Sequence, residues 1–407
     1  MPAIDLPNGQ RLAFTGSLLG SSGGPGGAGH QQRLLIVSGL AIPRTAIYVR
    51  LLAEHLSSLT GAEGRPLVTV CTYDLRGLGG SSAPRRLGAY TTEALAEDAL
   101  LLLDHLGWQD RVHLLASSLG GQIACKMAAR QPGRFASLLL VGTAQGWQLG
   151  LTTALRRPLV SGAMLLGQLP GLHWLATWAL LHHLFSDEWL SQPCSGSGLQ
   201  ESSGATRTDG HVPTRLEVML RHSRDPGRPN LLQDCHIHST ARLGQALACV
   251  RHWLTTSEAE TIRRSGIPVH ALTGSHDGIT AASAVAALAG SLGANSMRSL
   301  HGGHAGIMVE HAVPVLAAIE QAVFGWVVSS PAQRMAAQQQ AEAALMRSSF
   351  AFWEHILLHW LWAAALECAA LIFEACWVAA FWAALLWRIF RGARRQGGKQ
   401  QQDEQIR

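Results

Sequence analysis

The feature that most constrains the fold is an alternation of short runs with uncharged centres and segments of helical spacing between residues 33 and 143. Runs of strand length without central charges are typical of strands that are buried on both faces. The intervening segments, such as 91–107, carry apolar residues at helical spacing and predict covering helices. The pattern predicts an α/β fold: a mostly parallel central sheet with helices on both faces. The four runs are RLLIVSG (33–39), PLVTVCTYD (66–74), RVHLLAS (111–117) and FASLLLVGT (135–143).

This alternation stops after Thr143 and resumes near residue 267. We therefore predict one core in two parts, 1–144 and 266–328. A mostly helical insertion, 145–265, lies above the sheet and contains a flexible, low-complexity loop at 194–214. The other predicted elements are a strand at 11–16, a strand at 267–274, a helix at 281–292, a strand at 296–300 and a helix at about 308–324.

A serine lies on the turn between the run at 111–117 and the helix that follows. A nucleophile on such a sharp turn needs small residues two positions away on each side, because larger side chains would collide with the neighbouring strand and helix. Ala116 and Gly120 meet this requirement around Ser118. The N–H of Leu119, at the start of the helix, is predicted to stabilise a developing oxyanion. The alternative interpretation is a serine-rich turn without chemistry.

Two upstream segments strengthen the interpretation of Ser118 as a nucleophile. Leu40 follows a strand that ends in Ser-Gly, and its N–H is the predicted second oxyanion donor. Residues 73–84, YDLRGLGGSSAP, carry a D-x-R-G-x-G-x-S pattern. Together these motifs resemble the α/β-hydrolase superfamily over about residues 5–325. The resemblance implies an α/β-hydrolase fold in which the insertion at 145–265 is a helical cap.

The resemblance also implies a triad in the chain order serine, acid, histidine. Asp277 lies just beyond a predicted strand, and His304 lies on a Gly-rich loop before the last helix of the core. In acyl-transfer chemistry His304 would take the proton of Ser118, and Asp277 would orient and stabilise the imidazolium. Asp277 is also compatible with an ordinary turn aspartate, and His301 and His311 are the alternatives to His304.

Two positions depart from the superfamily pattern. Ser38 and Ser117 stand where many members carry histidine. Neither position supplies the proton-transfer group, so we expect altered pocket polarity and retained activity. A serine at position 118, in place of aspartate, disfavours the epoxide-hydrolase and dehalogenase branches.

No metal or cofactor is predicted. The histidine pairs 182/183 and 236/238 lack a carboxylate cluster at ligand spacing. The glycines at 77, 79 and 80 lack the acidic residue of a dinucleotide fingerprint.

Charge and cysteine content limit the partners and the compartment. Of the formal net charge of +5, residues 388–407 contribute +4, with six basic and two acidic residues. The folded part therefore has no basic face for nucleic acid. Seven cysteines without a CxxC pair argue against a disulfide framework, and the first residues lack a secretory signal. These features predict synthesis into the cytosol.

The C-terminal region is predicted to contact a membrane. We divide it into a helical linker at 329–349, a hydrophobic helix at 350–390 and a basic polar tail at 391–407. Six of the 13 tryptophans lie between residues 350 and 387, and a stretch such as 368–387 reaches the roughly 20 residues of a bilayer span. Glu367 and Glu374 share one helical face. A tilted span, an interfacial helix and an oligomerising helix therefore stay open.

These observations predict a serine hydrolase that cleaves a carboxylic ester of a lipophilic, acyl-lipid-like substrate through an acyl-enzyme. The protein is expected to be tail-anchored, with the hydrolase domain cytosolic and residues 350–390 at the membrane. Two alternatives are an acyltransferase that uses the same acyl-enzyme and a non-catalytic, membrane-anchored binding module. Amide or thioester cleavage and the oligomeric state stay open, because a triad does not select a leaving group.

Overall fold

Eight strands pair into one sheet in the order β1-β2-β4-β3-β5-β6-β7-β8. The computed structural model describes residues 2–16, 31–61, 64–146, 173–194, 212–222, 239–304 and 306–347. The strands are β1 (Ala3–Asp5), β2 (Arg11–Thr15), β3 (Gln32–Val37), β4 (Val68–Tyr73), β5 (Val112–Ser117), β6 (Phe135–Val141), β7 (Val269–Gly274) and β8 (Ser296–Leu300).

The predicted mostly parallel sheet is confirmed. Six neighbouring strands, from β4 through β3, β5, β6 and β7 to β8, are parallel, and β1 and β2 add an antiparallel edge. In β5, residues 112–116 are all buried. Because successive side chains in a strand point to opposite faces, burial of five in a row means that both faces are covered. Strand β1 was not predicted, since three residues are too short for a periodic pattern.

Helices of the core pack against these strands, among them α1 on β4 and α3 on β3, β5 and β6. Two short 3-10 helices, Leu87–Ala89 and Pro132–Arg134, lie in connections. In the described ranges the α-helices are α1 (Ile47–Ser57), α2 (Thr92–His105), α3 (Leu119–Arg130), α4 (His173–Leu184), α5 (Asp187–Ser191), α6 (Arg215–His222), α7 (Ser239–Arg251), α8 (Thr256–Ser265), α9 (Ala282–Leu292), α10 (Ile307–Glu310), α11 (Ala312–Phe324) and α12 (Pro331–Met346).

The single helix predicted at about 308–324 is wrong in one respect: it is two helices, α10 and α11, separated at His311. Pro314 explains the break. A proline inside a helix has no N–H to donate, and its ring collides with the carbonyl four residues earlier, here that of Glu310. A new helix that starts just before Pro314 avoids both problems, because the first turn needs no such donor.

The insertion is described only in part. Helices α4 to α8 belong to it, and most of the predicted loop at 194–214 lies outside the described residues. The hydrophobic segment 350–390 and the tail 391–407 also lie outside them. In the part of the chain that is described, no helix combines the length and the apolar character that crossing a bilayer requires.

The segment 329–349 contains α12, which packs against α1, α6, α10 and α11. A capping box between Ser330 and Gln333 begins this helix, with Pro331 in its first turn. Leu345 and Met346 at its other end are buried. Helix α12 therefore contributes to the packing of the core, while the domain boundaries stay predictions.

A buried histidine lies within the sheet. His113 on β5 is 5% exposed; its Nδ1 lies 2.7 Å from Ser137 Oγ, and its Nε2 lies 3.0 Å from Gln32 Oε1. A neutral ring fits these partners, because Nε2–H donates to the amide oxygen and Nδ1 accepts from the hydroxyl. Burial and the nearby Arg111 charge lower the pKa of His113 from 6.5 to about 4.

This lowered pKa predicts acid sensitivity. The unfolded chain takes up the His113 proton below pH 6.5, whereas the folded chain takes it up only near pH 4, so stability falls as pH drops through that window. The contribution amounts to at most about 3 kcal/mol. The free energy of unfolding, measured in urea at several pH values from 7 to 4, should fall less with pH in His113→Asn than in the wild type. Ser137→Ala is the control: it loses the hydrogen bond at every pH and should keep the wild-type pH dependence.

Candidate active site

The site lies where the parallel strands end, and Ser118 is at its centre. Ser118 directly follows β5 and has φ 52° and ψ −121°, a conformation that non-glycine residues rarely adopt. The turn into α3 is possible because Gly120 lacks a side chain: a Cβ there would lie 2.1 Å from the Val37 carbonyl oxygen. The Ser118 N–H donates to the Val141 carbonyl at 2.9 Å, which holds the turn against the end of β6.

The segment after β3 approaches the same serine. A Cβ on Gly39 would lie 3.3 Å from Ser118 Cβ, so the Leu40 peptide starts beside the Ser118 side chain. Leu119 is the first residue of α3, with its N–H at the helix N-terminus. The structure thus places Leu40 and Leu119, the residues of both predicted oxyanion donors, beside Ser118. Ser38, at a position of departure from the family, is 3% exposed, and its hydroxyl has no hydrogen-bond partner among the described residues.

Asp277 and His304 meet at the ends of β7 and β8. His304 Nδ1 lies 2.7 Å from Asp277 Oδ2, and the Asp277 side chain is 1% exposed. Asp277 Oδ1 accepts the N–H groups of Ile279 at 2.8 Å and Thr280 at 2.6 Å. Both carboxylate oxygens are therefore engaged, and the orientation of the acid is determined by its own turn. This contact assigns the proton of a neutral His304 ring to Nδ1 and leaves Nε2 as an acceptor.

Gly142 connects this pair to Ser118. It follows Val141, the residue whose carbonyl holds the Ser118 N–H, and it has φ 56°. A Cβ on Gly142 would lie 3.2 Å from His304 Cε1 and Nδ1 and 3.5 Å from Asp277 Oδ2. The imidazole and the carboxylate therefore pack directly on the backbone next to the nucleophile turn.

The two alternative histidines occupy other positions. His301 Nε2 lies 2.9 Å from Glu188 Oε2, and the His301 ring packs on that of His276. His311 Nε2 donates to the His301 carbonyl at 2.5 Å. Of the three histidines near the end of β8, His304 is the one that contacts Asp277.

Glu310 is a site residue that the sequence interpretation missed. Its carboxylate accepts the N–H of Gly303 at 3.2 Å, the N–H of Ser186 at 3.0 Å and the Ser186 hydroxyl at 2.5 Å. The Gly306 N–H also donates to the Leu184 carbonyl at 2.7 Å. The loop that carries His304 is thus bonded to the α4–α5 turn of the insertion.

Asp74 holds the chain that follows Leu40. Its Oδ1 accepts the Arg44 N–H at 2.8 Å, and Oδ2 lies 3.4 Å from Arg44 Nε and from the Gly80 N–H. Burial raises the pKa of the Asp74 carboxyl, and the Arg44 N–H and charge oppose that rise. The acidic residue of the D-x-R-G motif therefore supports the chain after Leu40 through Arg44.

No metal site is found in the described ranges, where no three His, Cys, Asp or Glu side chains are placed to share an ion. His182 Nδ1 lies 2.6 Å from Asp187 Oδ1, and His236 and His238 lie outside those ranges.

A family model for the alpha/beta hydrolase fold matches residues 33–311, more than half of the chain. The chain belongs to the α/β-hydrolase family. The resemblance inferred from the D-x-R-G-x-G-x-S and serine-turn motifs is confirmed, and membership of this family supports hydrolysis as the general class of reaction. No curated protein matches the sequence.

Solved structures of α/β hydrolases superpose on most of the chain. An esterase from Thermogutta terrifontis, with malate bound, is 20% identical and has a TM-score of 0.50; the match covers 79% of this chain and 96% of that one. An esterase from Exiguobacterium antarcticum is 15% identical, with 79% and 98% covered and a TM-score of 0.52. An α/β hydrolase from a Medee basin deep-sea metagenome library is 15% identical, with 81% and 99% covered and a TM-score of 0.53. At these identities the likeness shows the fold.

The close approach at Gly120 gives a test of the serine turn. In Gly120→Ala the new methyl group would overlap the Val37 and Ser38 carbonyl oxygens, so the free energy of unfolding should fall by at least about 3 kcal/mol. Gly290→Ala is a matched control, because Gly290 is also helical and a Cβ there meets nothing within 4 Å. That variant should gain roughly 0.5–1 kcal/mol. Equal stabilities of the two variants in denaturant titrations would contradict the tight turn.

Proposed function

We propose that this α/β hydrolase is a serine hydrolase that cleaves carboxylic esters of lipophilic acyl compounds through an acyl-enzyme. One observation carries the proposal: the 2.7 Å contact between His304 Nδ1 and Asp277 Oδ2 lies against Gly142, next to the carbonyl that holds the strained Ser118 turn. A nucleophile, a base and a group that orients the base are the parts that acyl transfer requires.

Acylation uses the free nitrogen of the imidazole. His304 Nε2 takes the Ser118 hydroxyl proton as Oγ attacks the ester carbonyl carbon, and the carbonyl oxygen becomes an oxyanion. The N–H groups of Leu40 and Leu119 donate to that oxyanion. Asp277 accepts the Nδ1–H and stabilises the imidazolium. Collapse of the intermediate breaks the bond to the alkoxy group, which leaves as an alcohol with the proton from Nε2.

Deacylation repeats these roles with water. His304 Nε2 takes a proton from water, the resulting hydroxide attacks the acyl carbon, and a second oxyanion forms at the same two N–H groups. Collapse releases the carboxylic acid and returns the proton to Ser118 Oγ. An alcohol in place of water would give acyl transfer, so the acceptor decides between the two outcomes.

Apolar helix α4 supports a lipophilic substrate. Leu180, Leu181 and Leu184 on this helix are buried, while Trp174 is 55% exposed. Its last residue, Leu184, accepts the hydrogen bond from the loop that carries His304. The leucine-rich end of α4 beside the His304 loop therefore supports an apolar acyl group over a sugar.

The nucleophile assignment is tested by labelling with a fluorophosphonate and by turnover of p-nitrophenyl esters. Ser118→Ala should abolish labelling and lower kcat by at least about 10³-fold, because it removes the attacking oxygen. Ser117→Ala is the matched control, since the adjacent serine ends β5 and should keep activity within about 3-fold. Labelling that persists in Ser118→Ala would refute the proposal.

The same assay tests the substrate class and the acceptor. Across acyl chains of two to 16 carbons, kcat/KM should rise with length by about 4-fold per CH₂ until the pocket is filled. A preference for acetyl esters would contradict the lipophilic assignment. With a competing alcohol, free acid as the main product supports hydrolysis, whereas transesterification as the main reaction would favour the acyltransferase.

We also propose that residues 350–390 attach the protein to a membrane. The support comes from their sequence: tryptophans and aliphatic residues predominate, and a basic tail follows that favours anionic lipid. A cytosolic hydrolase domain would then be held at a lipid surface.

Truncation tests the attachment. A chain that ends at Arg347 keeps α12, which packs on α1 and α11, and should lose sedimentation with vesicles that contain anionic lipid. A chain that ends at Phe390 is the control: it lacks only the basic tail and should still sediment. Both should hydrolyse a short, soluble ester at the wild-type rate. Full-length protein that stays in the supernatant would contradict membrane attachment.

A further inference from the structure

A tight turn follows β3 at residues 39–42. The Gly39 carbonyl accepts the Ile42 N–H at 3.3 Å, and Ala41, the third residue of the turn, has φ 58°. A positive φ at this place is characteristic of type II turns, where glycine is the usual residue. Alanine is strained in the left-handed region because its Cβ crowds the backbone. The surrounding structure must therefore hold this turn in place.

Gln245 supplies that support from a distant part of the chain. It lies on α7, within the predicted cap insertion, and is 0% exposed. Its Oε1 accepts the Ala41 N–H at 3.0 Å, and its Nε2 donates to the Arg76 carbonyl at 2.7 Å. The amide oxygen of Gln245 accepts a hydrogen bond and its nitrogen donates one. A flipped or displaced side chain would therefore leave buried polar groups unpaired.

Gly77 lets α7 lie close enough for the Gln245 side chain to contact the turn after β3. Gly77 has φ 83°, and a Cβ on it would lie 2.0 Å from Ala241 Cβ. Helix α7 therefore packs directly on the loop after β4, one turn away from Gln245. The amide is positioned by backbone packing as well as by its hydrogen bonds.

The turn held by Gln245 is the one that carries the Leu40 N–H. Gly39 packs against the Ser118 side chain, and the Leu40 N–H has no acceptor among the described residues. The direction of this N–H depends on the conformation of the next peptide, which the bond to Gln245 restrains. Restraint of a donor before reaction is the property that makes an oxyanion hole effective.

We infer that Gln245 is a positioning residue for the oxyanion hole: it holds the strained turn so that the Leu40 N–H points to the oxyanion beside Ser118. The inference rests on the proposed serine-hydrolase function. It also links the cap insertion to the chemical step, since the residue that sets the donor belongs to α7. If Gln245 had only a structural role, its substitution would lower stability and leave the rate of the chemical step unchanged.

The test compares Gln245→Leu and Gln245→Met with Thr92→Val in p-nitrophenyl ester hydrolysis. Thr92 Oγ1 lies 2.9 Å from His252 Nδ1, so Thr92→Val also removes a buried hydrogen bond between the core and the region of α7. Both Gln245 variants should lower kcat about 10- to 100-fold with KM changed less than about 3-fold, because the donor acts on the transition state. Thr92→Val should lower Tm by a similar amount and keep the wild-type kcat.

The rate of fluorophosphonate labelling gives an independent readout, since phosphonylation also places negative charge in the oxyanion hole. It should fall in parallel with kcat in the Gln245 variants. Folded Gln245 variants with wild-type kcat and labelling rate would overturn the inference. If neither variant folds, hydrogen exchange at the Ala41 N–H of the wild-type chain decides: slow exchange supports the bond to Gln245, and exchange as fast as in exposed loops overturns it.

Failure of this inference is distinguishable from failure of the proposed function. If Ser118→Ala is inactive while Gln245→Leu keeps the wild-type kcat, the nucleophile stands and only the role of Gln245 is refuted. If Ser118→Ala keeps its activity, both are refuted.

Discussion

Where α3 begins, its backbone lies so close to the last carbonyls of β3 that residue 120 has no space for a side chain. Ser118, two residues earlier, has a positive φ and is partly exposed at the end of β5. The turn after β3 also lies against the serine. The other site loops follow strands that are parallel to β5, so they reach the same edge. The geometry of the site therefore starts from a backbone contact between α3 and the end of β3.

Buried polar side chains hold the loops that follow the strands around the site. Glu310 bonds the His304 loop at Gly303 to the α4–α5 turn at Ser186. Asp74 holds the chain at Arg44, and Gln245 holds the turn at Ala41. Each acceptor satisfies backbone donors that would otherwise be buried without partners. Such networks fix the orientation of the loops, because a small displacement of a loop leaves several polar groups unpaired at once.

Strand runs and the small residues around the serine turn are local signals, so sequence patterns predicted the sheet and the turn that carries Ser118. Asp277 and His304 were expected from the family resemblance, and the catalytic roles of all three residues stay predictions. Glu310 and Gln245 could not be found in this way. Gln245 is 204 residues from Ala41, and a glutamine within a helix gives no sign of a distant partner. The break at His311 had a signal in Pro314, which was present within the predicted helix. The short strand β1 had no such signal in the sequence, because it is defined by its pairing with β2.

The insertion contacts three of the loops around the site: Leu184 lies at the His304 loop, His183 at Gly278 beside Asp277, and Gln245 at the turn after β3. The described part of the insertion thus shares hydrogen bonds with the loops around Ser118 and His304. Exchange of the whole insertion would therefore remove these supports, whereas substitutions at its exposed residues would leave them in place.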